Sequence, residues 1–163
     1  MNELEQKAEQ LITAAKSRKI KISLAESCTG GLIGAVITAI PGASEVFYGT
    51  AVTYVNEAKE NILGVSHETL KEAGAVSSEC ARQMAEGSRK IYKSDIAVSV
   101  TGIAGPDGGS IEKPVGTVWF GISCAAGGKT FVRHFTGDRK TVRNQTAAAA
   151  IEALTEWAER GAL

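Results

Sequence analysis

The spacing of apolar side chains along the chain switches repeatedly between the period of a helix and the period of a strand. Residues 4–15 place apolar or small side chains at helical spacing, and residues 20–24 alternate apolar with polar side chains. Helical spacing returns after Gly31 and stops at Pro41, before residues 46–55, which are rich in aromatic and β-branched side chains. The first third of the chain is therefore predicted as helix, strand, helix, strand.

Capping residues divide the next segment into three helices. The first two, capped by Asn56 and Ser66, are short and end at glycines. The third is longer, is capped by Ser77 or Ser78 and reaches about Tyr92.

The last part of the chain is predicted to hold a strand, a hairpin and a final helix. Residues 96–100 form the strand, and residues 115–124 and 130–135 form the hairpin, joined across Gly127-Gly128. Asp138 can cap the last helix. The predicted inward face of this helix consists of Val142, Thr146, Ala149, Ala150, Ala153 and Trp157.

This order of elements indicates the fold class. Helices that alternate with strands, together with one hairpin, are typical of a mixed sheet covered by helices on both faces. The length suits one compact unit, so we expect a single α/β domain over residues 1–163.

The balance of charge argues against a large polyanionic partner. The chain has 18 acidic and 18 basic side chains, and its formal net charge is zero. Such a chain has no global positive field that would attract nucleic acid or an anionic membrane surface. We expect neither as a partner.

The cysteines and histidines fit neither a disulfide framework nor a metal site. Cys28, Cys80 and Cys124 are odd in number and far apart, and nothing near His67 or His134 completes a ligand set. The N-terminal segment mixes charges throughout and lacks the apolar core of a signal peptide. We expect a cytoplasmic protein that uses no metal.

The first candidate site is the segment 25–31 (AESCTGG), where a predicted strand ends and a helix begins. Open α/β sheets usually present their ligand sites there. Free N–H groups at a helix start carry partial positive charge, and Gly30 and Gly31 would let a phosphate or a developing oxyanion approach them. The plain alternative is that Ser27 or Thr29 caps the helix. Residue type alone leaves both interpretations open.

Lys59 is the second candidate, because a cap at Asn56 places it in the first turn of a helix. The N–H dipoles of that turn disfavour an ammonium ion, and burial would add to the effect, so the pKa of such a lysine would be lowered. A neutral lysine can act as a general base. The alternative is an exposed lysine paired with Glu57 or Glu60.

Three cations, Arg139, Lys140 and Arg143, crowd into the start of the last helix. They oppose the helix dipole, and such a cluster is most easily tolerated beside an anion such as a phosphate. A solvated charged face is the alternative.

The glycine-dense loop that begins at Thr101-Gly102 offers backbone donors that could face the Ser27 turn, although by itself it also fits an ordinary turn.

Five segments together carry a resemblance to a known family. They are residues 25–31 (AESCTGG), 52–59 (VTYVNEAK), 100–109 (VTGIAGPDGG), 113–119 (KPVGTVW) and 137–139 (GDR). Over nearly its whole length the chain resembles the C-terminal domain family of competence/damage-inducible protein A. Standalone members of that family are bacterial nicotinamide mononucleotide deamidases, and others are fused to a larger nucleotide-processing domain.

The resemblance implies a three-layer α/β/α sandwich and an enzyme of pyridine nucleotide salvage. The implied reaction hydrolyses the carboxamide of nicotinamide mononucleotide to nicotinate mononucleotide and ammonia. Ser27 matches the nucleophile of the family, Lys59 its base and Tyr54 a residue that assists the pair. The predicted substrate-binding residues are Thr29, Gly30, Gly31, Thr101, Gly102, Arg143 and Gln145.

In the predicted mechanism, Lys59 accepts the hydroxyl proton of Ser27 as Ser27 attacks the amide carbon. Ammonia leaves, water then releases the acid, and Arg143 pairs with the substrate phosphate. Neither a metal nor a cofactor is expected, because the serine and the lysine supply nucleophile and base.

Two other classes of protein stay open: a module that binds a nucleotide without turnover, and an assembly module whose activity lies in a partner. We expect a homo-oligomer that acts on a small molecule.

Overall fold

The computed structural model describes residues 1–161, and its centre is a five-stranded mixed sheet. The strands are β1 (Ile22–Glu26), β2 (Phe47–Val52), β3 (Ile96–Gly102), β4 (Thr117–Cys124) and β5 (Gly127–His134). Their order across the sheet is β2-β1-β3-β4-β5. β1 is parallel to both of its neighbours, whereas β4 is antiparallel to β3 and to β5.

Six α-helices accompany the sheet. They are α1 (Glu3–Arg18), α2 (Leu32–Thr38), α3 (Asn56–Leu63), α4 (His67–Glu72), α5 (Ser78–Tyr92) and α6 (Arg139–Arg160), with a 3-10 turn at Ala43–Glu45. Ser77 and Asp138 cap α5 and α6, as predicted. None of the helices in this described part of the chain combines the length and the apolar character needed to cross a membrane.

The helices form a layer on each side of the sheet. The larger core cluster joins α1, α2 and α6 to one sheet face through side chains such as Leu11, Leu24 and Leu154. A smaller cluster that contains Met84 lies on the other face, where α5 packs on the sheet and α3 and α4 pack on α5. The predicted arrangement, a mixed sheet between two helical layers, is confirmed.

The carboxyl end of β1 lies where the connections to the next two strands lead to opposite sides of the sheet. After β1 the chain passes through α2 to β2 on one side, and after β2 it passes through α3 to α5 before entering β3 on the other side. In open α/β sheets, ligands commonly bind beside a strand end at which the connections diverge in this way. Ser27 is the first residue beyond β1.

The predicted position of the hairpin turn is wrong. The hairpin turns at residues 125–126, because Gly127 already pairs with Cys124 and Gly128 with Ser123. A Cβ at Gly128 would come too close to the carbonyl oxygen of Ile122, so this glycine permits a close strand approach and does not form the turn.

The buried face of α6 is wider than predicted. Val142, Thr146 and Ala150 are buried, and Ala149, Ala153 and Trp157 are partly buried against the core. The helix also packs on α1 and α2, which adds a second buried stripe. The residues of that stripe are Ala147, Ile151, Leu154 and Ala158.

Helix α3 packs closely against α5. A Cβ on Gly87 of α5 would overlap the main-chain carbonyl of Leu63, the last residue of α3. The two helices therefore touch through backbone at this point, and α3 carries Lys59.

Candidate active site

The side chains of Ser27 and Lys59 meet in a buried hydrogen bond at the carboxyl end of β1. The Lys59 Nζ atom lies 2.9 Å from the Ser27 Oγ atom. The same Nζ donates to the main-chain carbonyls of Thr53, at 2.9 Å, and Tyr54, at 3.2 Å. Lys59 is 1% exposed and Ser27 is 7% exposed. The two residues are 32 positions apart in sequence, so the fold itself brings them together.

Lys59 enters this site from the first turn of α3. The helix begins at Asn56 with Val55 at the cap position, so the predicted cap at Asn56 is one residue late. The main-chain N–H of Lys59 completes the first turn by donating to the Val55 carbonyl. The alternative of an exposed lysine paired with Glu57 or Glu60 is wrong, because the side chain is buried and forms no ion pair within residues 1–161.

Burial lowers the pKa of Lys59, because removal from water penalises the ammonium form. The titratable neighbours are two buried thiols, Cys80 and Cys28, and burial raises the pKa of each to about 11. Thiols of that pKa are neutral near pH 7 and supply no counter-charge. A neutral amine has two N–H donors and one lone pair, which match the two main-chain carbonyls and the Ser27 hydroxyl.

The turn after Ser27 is held by the carboxylate of Glu26. That carboxylate caps α2 by accepting from the N–H groups of Gly31 (3.1 Å), Ile33 (3.0 Å) and Gly34 (2.9 Å). Neither Ser27 nor Thr29 caps the helix, so that alternative is wrong. The expectation of free N–H groups at Gly30 and Gly31 is also wrong, because Gly30 donates to the Ser27 carbonyl. Contact of these glycines with substrate stays a prediction.

Two backbone donors of the turn have no acceptor within residues 1–161: the N–H groups of Cys28 and Thr29. The main-chain N–H of Ser27 itself donates to the Val100 carbonyl of β3 at 3.1 Å. The nucleophile candidate is thus anchored to the neighbouring strand, and the next two donors are unused.

Arg143 reaches the same turn from α6. Its Nη2 atom donates to the Thr29 carbonyl at 2.7 Å, and the side chain is half-buried. The structure therefore brings Arg143 beside the Ser27 turn, and its contact with the substrate phosphate stays a prediction. A fully solvated charged face at the start of α6 is wrong for this residue.

Tyr54 contacts the pair through its main chain, and the assisting role of its side chain stays a prediction. Its hydroxyl accepts from Arg139 Nη2 at 2.7 Å, and the side chain is 57% exposed. Arg139 also donates to the Gly105 carbonyl at 2.8 Å, which joins α6 to the loop after β3. Within residues 1–161 the Tyr54 hydroxyl forms no hydrogen bond with Ser27 or Lys59. Its main-chain carbonyl, not its hydroxyl, touches the pair.

The other predicted pocket residues have structural partners or lie apart. The Thr29 hydroxyl donates to Glu26, and the Thr101 hydroxyl donates to the Ala75 carbonyl. A Cβ on Gly102 would collide with the main chain of β4, which explains that glycine by packing. Gln145 has a buried Oε1 without a protein partner and forms no hydrogen bond to Ser27, Lys59 or Arg143 in the part of the chain described. Substrate contact at these positions stays a prediction.

Sequence reasoning missed the roles of Glu26 and Thr53, and it missed the bonds of Arg139 to Tyr54 and to the loop after β3. The only sequence signal for Glu26 is a charged residue at the end of an otherwise uncharged strand. Thr53 acts through its carbonyl, for which a sequence carries no mark. Among residues 1–161, no three His, Cys, Asp or Glu side chains are grouped so as to hold a metal ion.

Fold and site together define an α/β protein with a serine–lysine pair at the switch point of its sheet. A hydrogen bond from a serine hydroxyl to a lysine amine is one arrangement by which enzymes activate a serine nucleophile. The chain belongs to the CinA C-terminal domain family, whose model matches residues 4–158. The predicted resemblance is confirmed.

Relatives occur both at this length and as longer proteins. The nicotinamide-nucleotide amidohydrolase PncC of Escherichia coli (strain K12) is 51% identical over 154 residues, which cover 94% of this chain and 93% of that protein. The CinA-like protein of Thermotoga maritima is 46% identical over 153 residues, and this chain spans only 37% of its length.

Solved structures share the whole fold. The competence/damage inducible protein CihA from Agrobacterium tumefaciens has a TM-score of 0.91 and 42% identity, with 96% of each chain covered. A CinA superfamily protein from Klebsiella pneumoniae has a TM-score of 0.92 and 34% identity, with 96% of this chain and 98% of that one covered.

Proposed function

We propose that this chain is an amidohydrolase that converts nicotinamide mononucleotide to nicotinate mononucleotide and ammonia. The observation that carries the proposal is the 2.9 Å hydrogen bond between Ser27 Oγ and a buried Lys59 Nζ. The relative named nicotinamide-nucleotide amidohydrolase PncC supplies the substrate, at 51% identity over most of both chains. A buried lysine without an ion pair lowers stability, and such arrangements are retained where chemistry needs them.

The reaction begins with proton transfer from Ser27 to Lys59. As Ser27 Oγ bonds to the carboxamide carbon, the hydroxyl proton passes to Nζ, which becomes an ammonium ion held by two carbonyls. The tetrahedral intermediate collapses, the C–N bond breaks, and the Nζ proton passes to the leaving nitrogen, which departs as ammonia. Water then attacks the acyl ester and gives a proton to Nζ. As the second intermediate collapses, that proton passes to Ser27 Oγ, which restores the serine hydroxyl and the neutral amine, and the released carboxylic acid loses its proton to solvent.

The N–H groups of Cys28 and Thr29 are the donors we assign to the oxyanion. They directly follow the nucleophile and have no acceptor within residues 1–161. Backbone donors aimed at the developing charge are each worth about 3 kcal/mol in comparable enzymes. The N–H groups of Gly31, Ile33 and Gly34 already donate to Glu26, so the start of α2 has no free donor among them for the oxyanion.

The phosphate of the nucleotide is assigned to the cations at the start of α6. Arg143 lies beside the Ser27 turn, and Arg139 lies between Tyr54 and the loop after β3. A guanidinium group suits bidentate binding of phosphate oxygens. This assignment leaves the nicotinamide end of the substrate toward Ser27.

Release of ammonia from nicotinamide mononucleotide tests the proposal directly. We expect the wild-type protein to release one ammonia for each nicotinate mononucleotide formed, measured by a coupled ammonia assay and by chromatography. Titration calorimetry with the same nucleotide separates the alternatives. Binding without ammonia release would favour a nucleotide-binding module, and neither binding nor release would favour an assembly module.

The rate of the reaction should rise with pH through the pKa of Lys59. Only the neutral amine accepts the serine proton, and burial lowers this pKa, so the active form is populated at lower pH than for a lysine in water. Measurement of kcat/KM from mildly acidic to mildly alkaline pH checks this direction. A rate that falls over the same range would contradict lysine as the base.

The structure does not test several of the predictions made from the sequence. A homo-oligomeric state, a cytoplasmic location, one domain over residues 1–163 and the lack of nucleic-acid or membrane partners stay predictions.

A further inference from the structure

Glu26 is the last residue of β1, and its carboxylate is completely buried. Besides the three backbone donors at the start of α2, it accepts from two hydroxyls. Thr29 Oγ1 lies 2.6 Å from Oε2, and Thr50 Oγ1 lies 3.0 Å from Oε1. Five donors from three separate elements therefore converge on one side chain.

The charge of this carboxylate has no cation partner in the described part of the chain. Glu26 forms no ion pair within residues 1–161. The positive end of α2 and three of its N–H groups supply the compensation. The helix end that an open α/β fold commonly offers to a ligand is thus filled by the protein itself.

Both members of the catalytic pair are connected to Glu26. Through its side chain, Glu26 fixes Thr29 and Gly31 in the turn that follows Ser27. Through its main-chain carbonyl, it accepts from the N–H of Thr53 at 2.9 Å. The carbonyl of Thr53 in turn holds Lys59 Nζ. One residue therefore links the loop of the nucleophile to the loop that orients the base.

We propose that Glu26 is a positioning residue that sets the geometry of the Ser27–Lys59 pair. This inference rests on the proposed function, in which that pair carries out the chemistry. Glu26 does not touch the reacting atoms. Its carboxylate keeps the turn in the conformation in which Ser27 Oγ meets Lys59 Nζ and the N–H groups of Cys28 and Thr29 stay unoccupied.

The Glu26→Gln variant tests the proposal with nearly unchanged shape. A carboxylate only accepts, whereas an amide presents two donors on one side. Whichever way the amide is turned, its NH₂ group opposes at least one backbone N–H, either that of Gly34 or those of Gly31 and Ile33. The turn must shift, and small displacements of catalytic groups reduce rates strongly. We expect kcat to fall by about tenfold or more and KM to change by less than about threefold.

A second readout is independent of the nucleotide. Phenylmethylsulfonyl fluoride sulfonylates an activated serine hydroxyl with loss of fluoride, and intact mass spectrometry follows the reaction at Ser27. We expect Glu26→Gln to slow this labelling by about tenfold, because the pair is misaligned. Failure of the proposed function would appear as a wild-type protein that reacts with the reagent but releases no ammonia. The role of Glu26 would then still be tested by the labelling rate.

Asn2→Ala is the matched control, since Asn2 caps α1 by accepting from the Glu5 N–H at 2.9 Å and lies beside a helix that carries no catalytic residue. It should leave both rates unchanged.

If Glu26→Gln does not fold, Thr50→Val removes one donor to the carboxylate, and we expect about a threefold decrease in both rates. A folded Glu26→Gln protein, or in its absence Thr50→Val, with wild-type kcat and labelling would overturn the proposal.

Discussion

Replacement of Ser27 by alanine should abolish ammonia release while nucleotide binding persists. The variant loses the atom that bonds to the carboxamide carbon, and removal of a serine nucleophile lowers kcat by at least about 10³-fold in related chemistry. The phosphate contacts that we propose at the start of α6 do not involve this hydroxyl. Ammonia release and calorimetric titration with nicotinamide mononucleotide, measured on one preparation, check both parts.

Ser88→Ala provides a control for the loss of a buried serine. Ser88 is fully buried in α5, and its hydroxyl bonds to Ser23 and to the Leu24 carbonyl away from the site. We expect some loss of stability and unchanged kcat from this substitution. Retention of full activity by Ser27→Ala would remove the serine mechanism altogether.

Replacement of Lys59 by methionine should lower kcat by about 10²–10⁴-fold, the usual contribution of a general base. Methionine has a similar length and fills most of the space of the buried side chain, so the loss would reflect the missing amine. Lys71→Met, at an exposed position of α4, is the matched control and should retain activity. Unchanged ammonia release by Lys59→Met would rule out lysine as the base.

The same variant should change how stability depends on pH. Burial lowers the pKa of Lys59 in the folded protein, so the unfolded chain binds more protons in the interval up to the ordinary lysine pKa. The contribution of Lys59 to the free energy of unfolding of the wild type therefore rises with pH in that interval, with a slope of at most about 1.4 kcal/mol per pH unit from this one proton. Urea denaturation at several pH values should show that this slope is smaller in Lys59→Met. Equal slopes in the two proteins would contradict the lowered pKa.

The sequence predicts the layers of this fold well because local signals mark them. Ser77 and Asp138 each accept from the third residue of their helix, a contact made within one turn that residue type alone can indicate. The predicted hairpin turn is misplaced because Gly127-Gly128 looks like a turn. The close approach of Gly128 to Ile122 depends on the partner strand and cannot be read from neighbouring residues.

The site is only partly predictable for a similar reason. Motif and charge pattern identify Ser27 and Arg143, and the fold brings both to the same turn. The burial of Lys59 and the role of Glu26 depend on contacts between distant segments. Thr50, for example, lies 24 residues beyond the carboxylate to which it donates. Capping rules look within one turn, so they assign the helix start to Ser27 or Thr29.

The backbone contact between Gly87 and Leu63 has a consequence for how variants of this protein should be interpreted. It sets how deeply α3 sits against α5, and therefore how far Lys59 extends toward Ser27. Any side chain at position 87 would push α3 outward and lengthen the path of the proton. A mutational scan scored by turnover would then rank this glycine among essential positions, although it lies outside the site and has no chemical part in the reaction.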